Sequence, residues 1–237
     1  IEVINTFVFL ISILLTSGTD MAQSFFFFEY PQKEERKKTL STLSIYIFLI
    51  NILLTVVIWF FSHQISTILL GTDRFAKLLR IASLVIPWMA LYTFNLNLLR
   101  LERKPIKYIS ITLPFVAFQI ITNIILVLVI HTGLVGIFWT NVISYLLFTI
   151  LCFVINRSYW EFHFDLSRFK ELFHYWSPLF PVGISAWFLS SADRLFLSSL
   201  SNLEATGVYA AGLRIASIVG FLVQAFRTAN LPFIFEV

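Results

Sequence analysis

Cysteine, histidine and charge are scarce in this chain. Of 237 residues one is cysteine, Cys152, four are histidine, and 13% are charged, against about 25% in ordinary soluble domains. A single cysteine excludes an intramolecular disulfide and offers no thiolate cluster to a metal, so Cys152, inside an apolar stretch, reads as a small buried residue. His63, His131, His163 and His174 all fall at the ends of apolar stretches or between them. No histidine-based triad, metal cluster or proton relay within a membrane is therefore visible, and no cofactor is expected. Acidic groups are missing from every apolar span between Leu43 and Ile155, and Asp73 and Glu204 stand isolated in short connections. A membrane glycosyltransferase, polymerase or ligase would be expected to present a sizeable extracellular loop with catalytic groups, which disfavours an enzyme.

What fills the chain is apolar: 58% hydrophobic residues, 27 of them Phe, and a mean hydropathy of +0.86. That composition predicts an all-α polytopic membrane protein. Seven spans stand out, at 1–19, 43–61, 81–99, 108–130, 134–155, 177–200 and 208–235, most of them long enough for the ~20 apolar residues that cross a ~30 Å hydrocarbon core. The formal charge of +4 would suggest nucleic acid in a soluble protein, but here the basic residues follow the spans. One set of connections holds Lys33, Arg36, Lys37, Lys38, Arg100, Arg103, Lys104, Lys107, Arg157, Arg168 and Lys170, and the other only Arg74, Lys77 and Arg80. Eleven against three is a positive-inside bias that places the Lys/Arg-rich loops in the cytoplasm and runs the first span from outside to inside.

Three charges break the apolar pattern. Asp193 and Arg194 lie within 177–200, and Arg214 lies within 208–235. A charge at the bilayer centre costs roughly 2.5–3.5 kcal/mol even on lenient scales, so it faces a partner or a water-filled cavity. The turn at 201–207 sits midway between Asp193 and Arg214, which in two antiparallel helices puts both at the same depth, about 15 Å from the turn. Pro87, Pro114, Pro178 and Pro181 predict bent helices, and Gly133 to Gly136 predicts a tight turn. Asn51, Asn95, Asn97, Gln119, Asn123, Asn141 and Gln224 are polar positions within spans. Each either lines a hydrophilic lumen or bonds a neighbouring helix.

The connection 156–176 is long and amphipathic, and its second half predicts a short interfacial helix. It divides the chain into a first lobe at 1–155, a cytoplasmic linker at 156–176 and the start of a second lobe at 177–237. A shift of 207 residues pairs 1–29 with 208–236 without a gap and matches Phe26 with Phe233, Phe28 with Phe235 and Glu29 with Glu236. Six spans separate the copies, so equal orientation implies parallel six-helix repeats about an axis along the membrane normal. The same shift sets Asp20 against Arg227, two opposite charges that could close a cytoplasmic gate between the lobes. The apolar start at Ile1 and the stop at Val237 read as those of an internal piece of a longer polypeptide.

The run from Pro178 to Leu197, with Asp193-Arg194, and the run Gly207-Val-Tyr-Ala-Ala-Gly-Leu-Arg-Ile-Ala resemble the seventh and eighth helices of bacterial polysaccharide-biosynthesis, or O-antigen, flippases. These belong to the superfamily that also holds multidrug and toxin extruders and the lipid II flippase. Gly18-Thr-Asp-Met-Ala and Gly133 to Gly136 resemble the end of that family's second helix and its fifth-to-sixth turn. The resemblance implies helices two to eight of a V-shaped, two-lobed carrier of the MATE type in the bacterial inner membrane. It would move an undecaprenyl-diphosphate-linked oligosaccharide from the cytoplasmic to the outer leaflet. Arg194 or Arg214 would then contact the diphosphate through a bidentate fork, with Asp193 holding one arginine in place. The alternative is a permanent Asp193–Arg214 brace. Two rival functions stay open: a multidrug extruder coupled to sodium or protons, and a scaffold subunit among polysaccharide assembly proteins. Membrane lipids are partners in every case.

Overall fold

The computed structural model describes residues 18–70 and 72–182, with isolated positions between 4 and 16 and between 185 and 230. Among the described residues all regular structure is helical. The order is α1 (Thr19–Glu29), α2 (Lys33–Phe60), α3 (Ser62–Leu70), α4 (Ala76–Ser83), α5 (Ile86–Leu101), α6 (Pro105–Asn123), α7 (Leu134–Ile155) and α8 (Leu166–Trp176). A π-helical turn, Ile124–Val129, extends α6. Four segments are long and apolar enough to cross a membrane: Lys33–Phe60, Asp73–Leu101, Pro105–Val129 and Leu134–Ile155. They coincide with the four spans expected between 43 and 155.

The outward faces explain why these helices need lipid. On α2, Leu49, Ile52, Leu53, Val56, Val57 and Phe60 are exposed at helical spacing, and on α6 Ile109, Leu113, Val116 and Ile120 repeat the pattern. Contiguous apolar surface of this extent is not left in water by a monomeric soluble protein. Inside the bundle α5 is the central helix, contacting α1, α2, α6 and α7. One core cluster joins α1, α2, α5 and α8 through Phe26, Phe27, Leu43, Phe94, Leu98, Leu172 and Trp176. A second, toward the other end, joins α2, α4, α5 and α7 through Ile58, Leu79, Ile86 and Phe138. Cys152 is buried in a third, between α5, α6 and α7, as a small core residue.

The helix breaks have chemical causes. The turn at Leu84 and Val85 separates α4 from α5, and Pro87 stands in the first turn of α5. Proline has no N–H to give the carbonyl four residues back, and here that carbonyl, Ser83 O, instead accepts a hydrogen bond from Thr55 Oγ1 at 3.1 Å. Two differences from the sequence expectation concern the first apolar span and the Gly133 to Gly136 turn. The helix Thr19–Glu29 carries the chain ten residues past Thr19, because Ala22, Phe26 and Phe27 find a buried face. It begins at Gly18, whose φ of +84° suits glycine and whose missing Cβ would lie 3.0 Å from Leu179 Cβ. The tight turn sits at His131 to Gly133, both with positive φ, while Gly136 belongs to the first turn of α7.

The Lys/Arg-rich connections meet at one end of the bundle. Arg168 of α8 pairs with Glu35 of α2 and, at 2.9 Å, with Glu171. Lys37 reaches Glu161 at 3.6 Å, and Tyr159 OH donates to Glu102 at 2.7 Å. A helix, α8, occupies the second half of 156–176, where a short helix was expected. Asp165 caps it by accepting from the backbone N–H of Ser167 and Arg168 at 2.9 and 3.1 Å. Those bonds hold the Asp165 carboxyl below its usual range.

Candidate functional site

A cavity of about 550 Å³ lies between α1, α2, α5 and α7 and reaches Leu179 and Val182 beyond α8. Its polar wall comes from two helix stripes. Ser12, Thr16, Asp20 and Gln23 recur at spacings of four, four and three, and Thr93, Asn97 and Arg100 on α5 at four and three. Residues three and four apart share one helix face, so Asp20 and Gln23 on α1 and Thr93, Asn97 and Arg100 on α5 each turn a polar edge inward, while Ser12 and Thr16 come from before the break at Gly18. Ile47, Met89, Ala90, Phe94 and Tyr145 supply apolar and aromatic surface to the same cavity.

The polar wall is tightly bonded. Gln23 Nε2 donates to the Phe94 carbonyl at 3.0 Å, Asn97 Nδ2 donates to Gln23 Oε1 at 2.8 Å, and Arg100 Nη2 donates to Asn97 Oδ1 at 2.9 Å. Gln23 and Asn97 are buried, and the buried Nε of Arg100 has no partner among the described residues. Lys37, Lys38, Lys104 and Arg168 form ion pairs, whereas Arg100 forms none among the described residues. The cavity thus holds one guanidinium with donors left over and one carboxylate, Asp20, exposed in the first turn of α1. A guanidinium in that state is suited to phosphate or carboxylate oxygens.

Of the residues singled out in the sequence, the structure places Asp20 on this cavity wall, about 14 Å of helix before Glu29. Asp193, Arg194, Arg214 and Arg227 lie outside the described residues. Among the described residues, Asn97 is the one of these intraspan amides that lines the cavity. Asn51 bonds the Ile47 carbonyl at 2.7 Å, Asn95 and Asn156 pair at 3.1 Å, and Gln119 donates to Asn141 at 3.2 Å, so these are bonds within and between helices. Sequence reading missed Gln23 and assigned Arg100 to a loop. The helical spacing of polar residues along 12–23 and 93–100 was the signal that could have found both.

Apolar outer faces around a polar, cation-bearing interior define a polytopic all-α membrane protein. Residues 4–234 match the family model described as polysaccharide biosynthesis protein, and the chain belongs to that family. No curated protein and no solved structure matches it.

Proposed function

We propose that this protein is a flippase that carries polysaccharide repeat units, linked through a diphosphate to undecaprenyl, from the cytoplasmic to the outer leaflet of the bacterial inner membrane by alternating access. The observation that carries the reading is the guanidinium of Arg100, without an ion pair among the described residues, in a polar cavity within a bundle of the polysaccharide biosynthesis family. The lipid tail of such a substrate can stay in hydrocarbon, but its diphosphate cannot. A positioned arginine replaces part of the water that the phosphates lose. With the Lys/Arg-rich end in the cytoplasm, Arg100 stands near the entrance through which a diphosphate would leave the inner leaflet.

In this reading 1–155 forms the first lobe, α8 and its approach form the linker, and 177–237 begins the second lobe. Arg194 and Arg214 meet the substrate from that second lobe, with Asp193 as their counter-ion. Asp20 and Arg227 close the cytoplasmic side. The protein works by moving substrate and makes or breaks no covalent bond. Asp20, a carboxylate on the cavity wall, supports a second reading in which sodium or a proton binds there, as a coupling ion or in a multidrug extruder.

The test is complementation of an export-deficient strain by Arg100→Ala, Arg194→Ala and Arg214→Ala at matched membrane abundance. Export should fall at least about tenfold for Arg100→Ala, as loss of a charge-assisted hydrogen bond implies. Normal export in all three variants would sink the substrate role and favour a scaffold. Resistance to cationic drugs that falls with Asp20→Asn, with export unchanged, would favour the extruder.

A further inference from the structure

Gln23, Asn97 and Arg100 form a chain of hydrogen bonds whose direction is dictated from both ends. Arginine can only donate, and the Phe94 carbonyl can only accept. Asn97 must therefore turn its oxygen to Arg100 and its N–H group to Gln23. Gln23 must then accept from Asn97 and donate to Phe94, as the three distances of 2.9, 2.8 and 3.0 Å record. Reversing either amide would set donor against donor or oxygen against oxygen in a site where Gln23 is 1% and Asn97 2% exposed. Such clashes leave buried polar groups unsatisfied.

The choice of an amide over a carboxylate beside Arg100 has an electrostatic consequence. A carboxylate would hold the guanidinium firmly but cancel its charge at short range. An amide oxygen fixes the guanidinium through one charge-assisted bond without placing a negative charge in contact with it, and Asp20 acts on it only across the cavity wall. Gln23 comes from α1 and the other two residues from α5, so the orientation of Arg100 depends on how α1 meets α5.

We propose that Gln23 and Asn97 are positioning residues for Arg100, an amide relay that aims a guanidinium held by no ion pair among the described residues into the cavity for a phosphate-bearing ligand. The relay rests on the reading of Arg100 as the diphosphate contact. Its bland rival is hydrogen bonding that merely ties α1 to α5.

The experiment measures binding of undecaprenyl diphosphate to the intact protein in lipid nanodiscs. Arg100→Ala should weaken binding by about tenfold or more, as expected for a charge-assisted bond. Asn97→Asp keeps an oxygen on Arg100 and nearly the same shape, yet it should also weaken binding by about tenfold, because the new charge cancels the old. That change also removes the N–H that Asn97 gives to Gln23, so binding is read beside thermal unfolding: a purely structural tie between α1 and α5 would lower the unfolding temperature and leave binding by the folded protein unchanged. Gln23→Glu supplies a comparison within one protein. Its neutral acid can donate to Phe94 and accept from Asn97, whereas its carboxylate cannot donate. Binding should therefore approach the wild-type value at low pH and fall as pH rises. The wild-type protein is the control for Asp20 on α1, Arg100 on α5 and Tyr145 on α7, the titratable groups that line the same cavity.

If Arg100→Ala loses binding while Asn97→Asp and Gln23→Glu follow wild type at every pH, the relay is refuted and the diphosphate reading stands. If Arg100→Ala binds like wild type, both fail. The two-pH comparison on Gln23→Glu decides the matter even if another variant does not fold.

Discussion

Tyr159 closes the Lys/Arg-rich end of the bundle with a single hydroxyl. Its OH donates to Glu102 at 2.7 Å, and Lys104 holds the same carboxylate at 2.6 Å. Burial, and then the bond to Glu102, push the Tyr159 phenol up to about 12. A raised value means that the folded state favours the protonated phenol. The resulting stability is fully present below about pH 10 and is lost as pH rises through about 12. Thermal unfolding of wild type and Tyr159→Phe in detergent should show the largest gap near pH 9 and a shrinking one toward pH 12. A gap constant across that range would contradict the assignment, since Tyr30, raised to about 12 beside Glu171, is present in both proteins. At this scale the sequence was only partly readable. Asn51, Asn95, Gln119 and Asn141 are visible as polar positions, but whether an amide turns to a cavity or to a neighbouring carbonyl depends on helix rotation. Helix rotation is set by long-range packing.

The helices were legible because hydrophobic runs of membrane length have few alternatives. The limits α7 shows, Leu134–Ile155, are those that hydropathy implies. The breaks were less legible. Pro87 announces a bend, yet only the fold reveals that Thr55, distant in sequence, supplies the bond that proline withholds from Ser83. Thr55→Val should therefore cost about 1 kcal/mol, read as a lower unfolding temperature, with the fold kept. An unchanged midpoint would show that the Ser83 carbonyl finds another donor. Helix α3 and the π-helical turn after α6 had no clear sequence mark. Residues 62–70 are too short to span a membrane, and a π turn adds one residue per turn without altering composition. By contrast α8 was readable from its amphipathic pattern, and Leu172 and Trp176 are its buried face.

For the whole molecule, one end gathers the basic loops and clamps α8 to α1 and α2. Arg168 bonds Glu35 and Glu171 and lies 4.2 Å from the centre of the Tyr30 ring, while Tyr30 donates to Glu171. Partly buried and shared among four residues, this network is less easily screened than an isolated surface pair. It fixes α8 against the helices before it. Above the clamp the cavity presents Arg100, aimed by Asn97 and Gln23, with Asp20 on the same wall. Composition announced the membrane, and Asp193, Arg194 and Arg214, which lie outside the described residues, were expected to mark a polar path; the cation the structure brings into view is Arg100, hidden in the sequence at the end of a span. In the proposed function a diphosphate-linked glycolipid crosses the membrane past this residue. Proteoliposomes loaded with undecaprenyl-diphosphate-linked oligosaccharide, with transfer between leaflets followed by a membrane-impermeant glycan label, measure that directly. The account predicts protein-dependent transfer that Arg100→Ala slows at least about tenfold at equal reconstitution. Transfer by Arg100→Ala at the wild-type rate would contradict it.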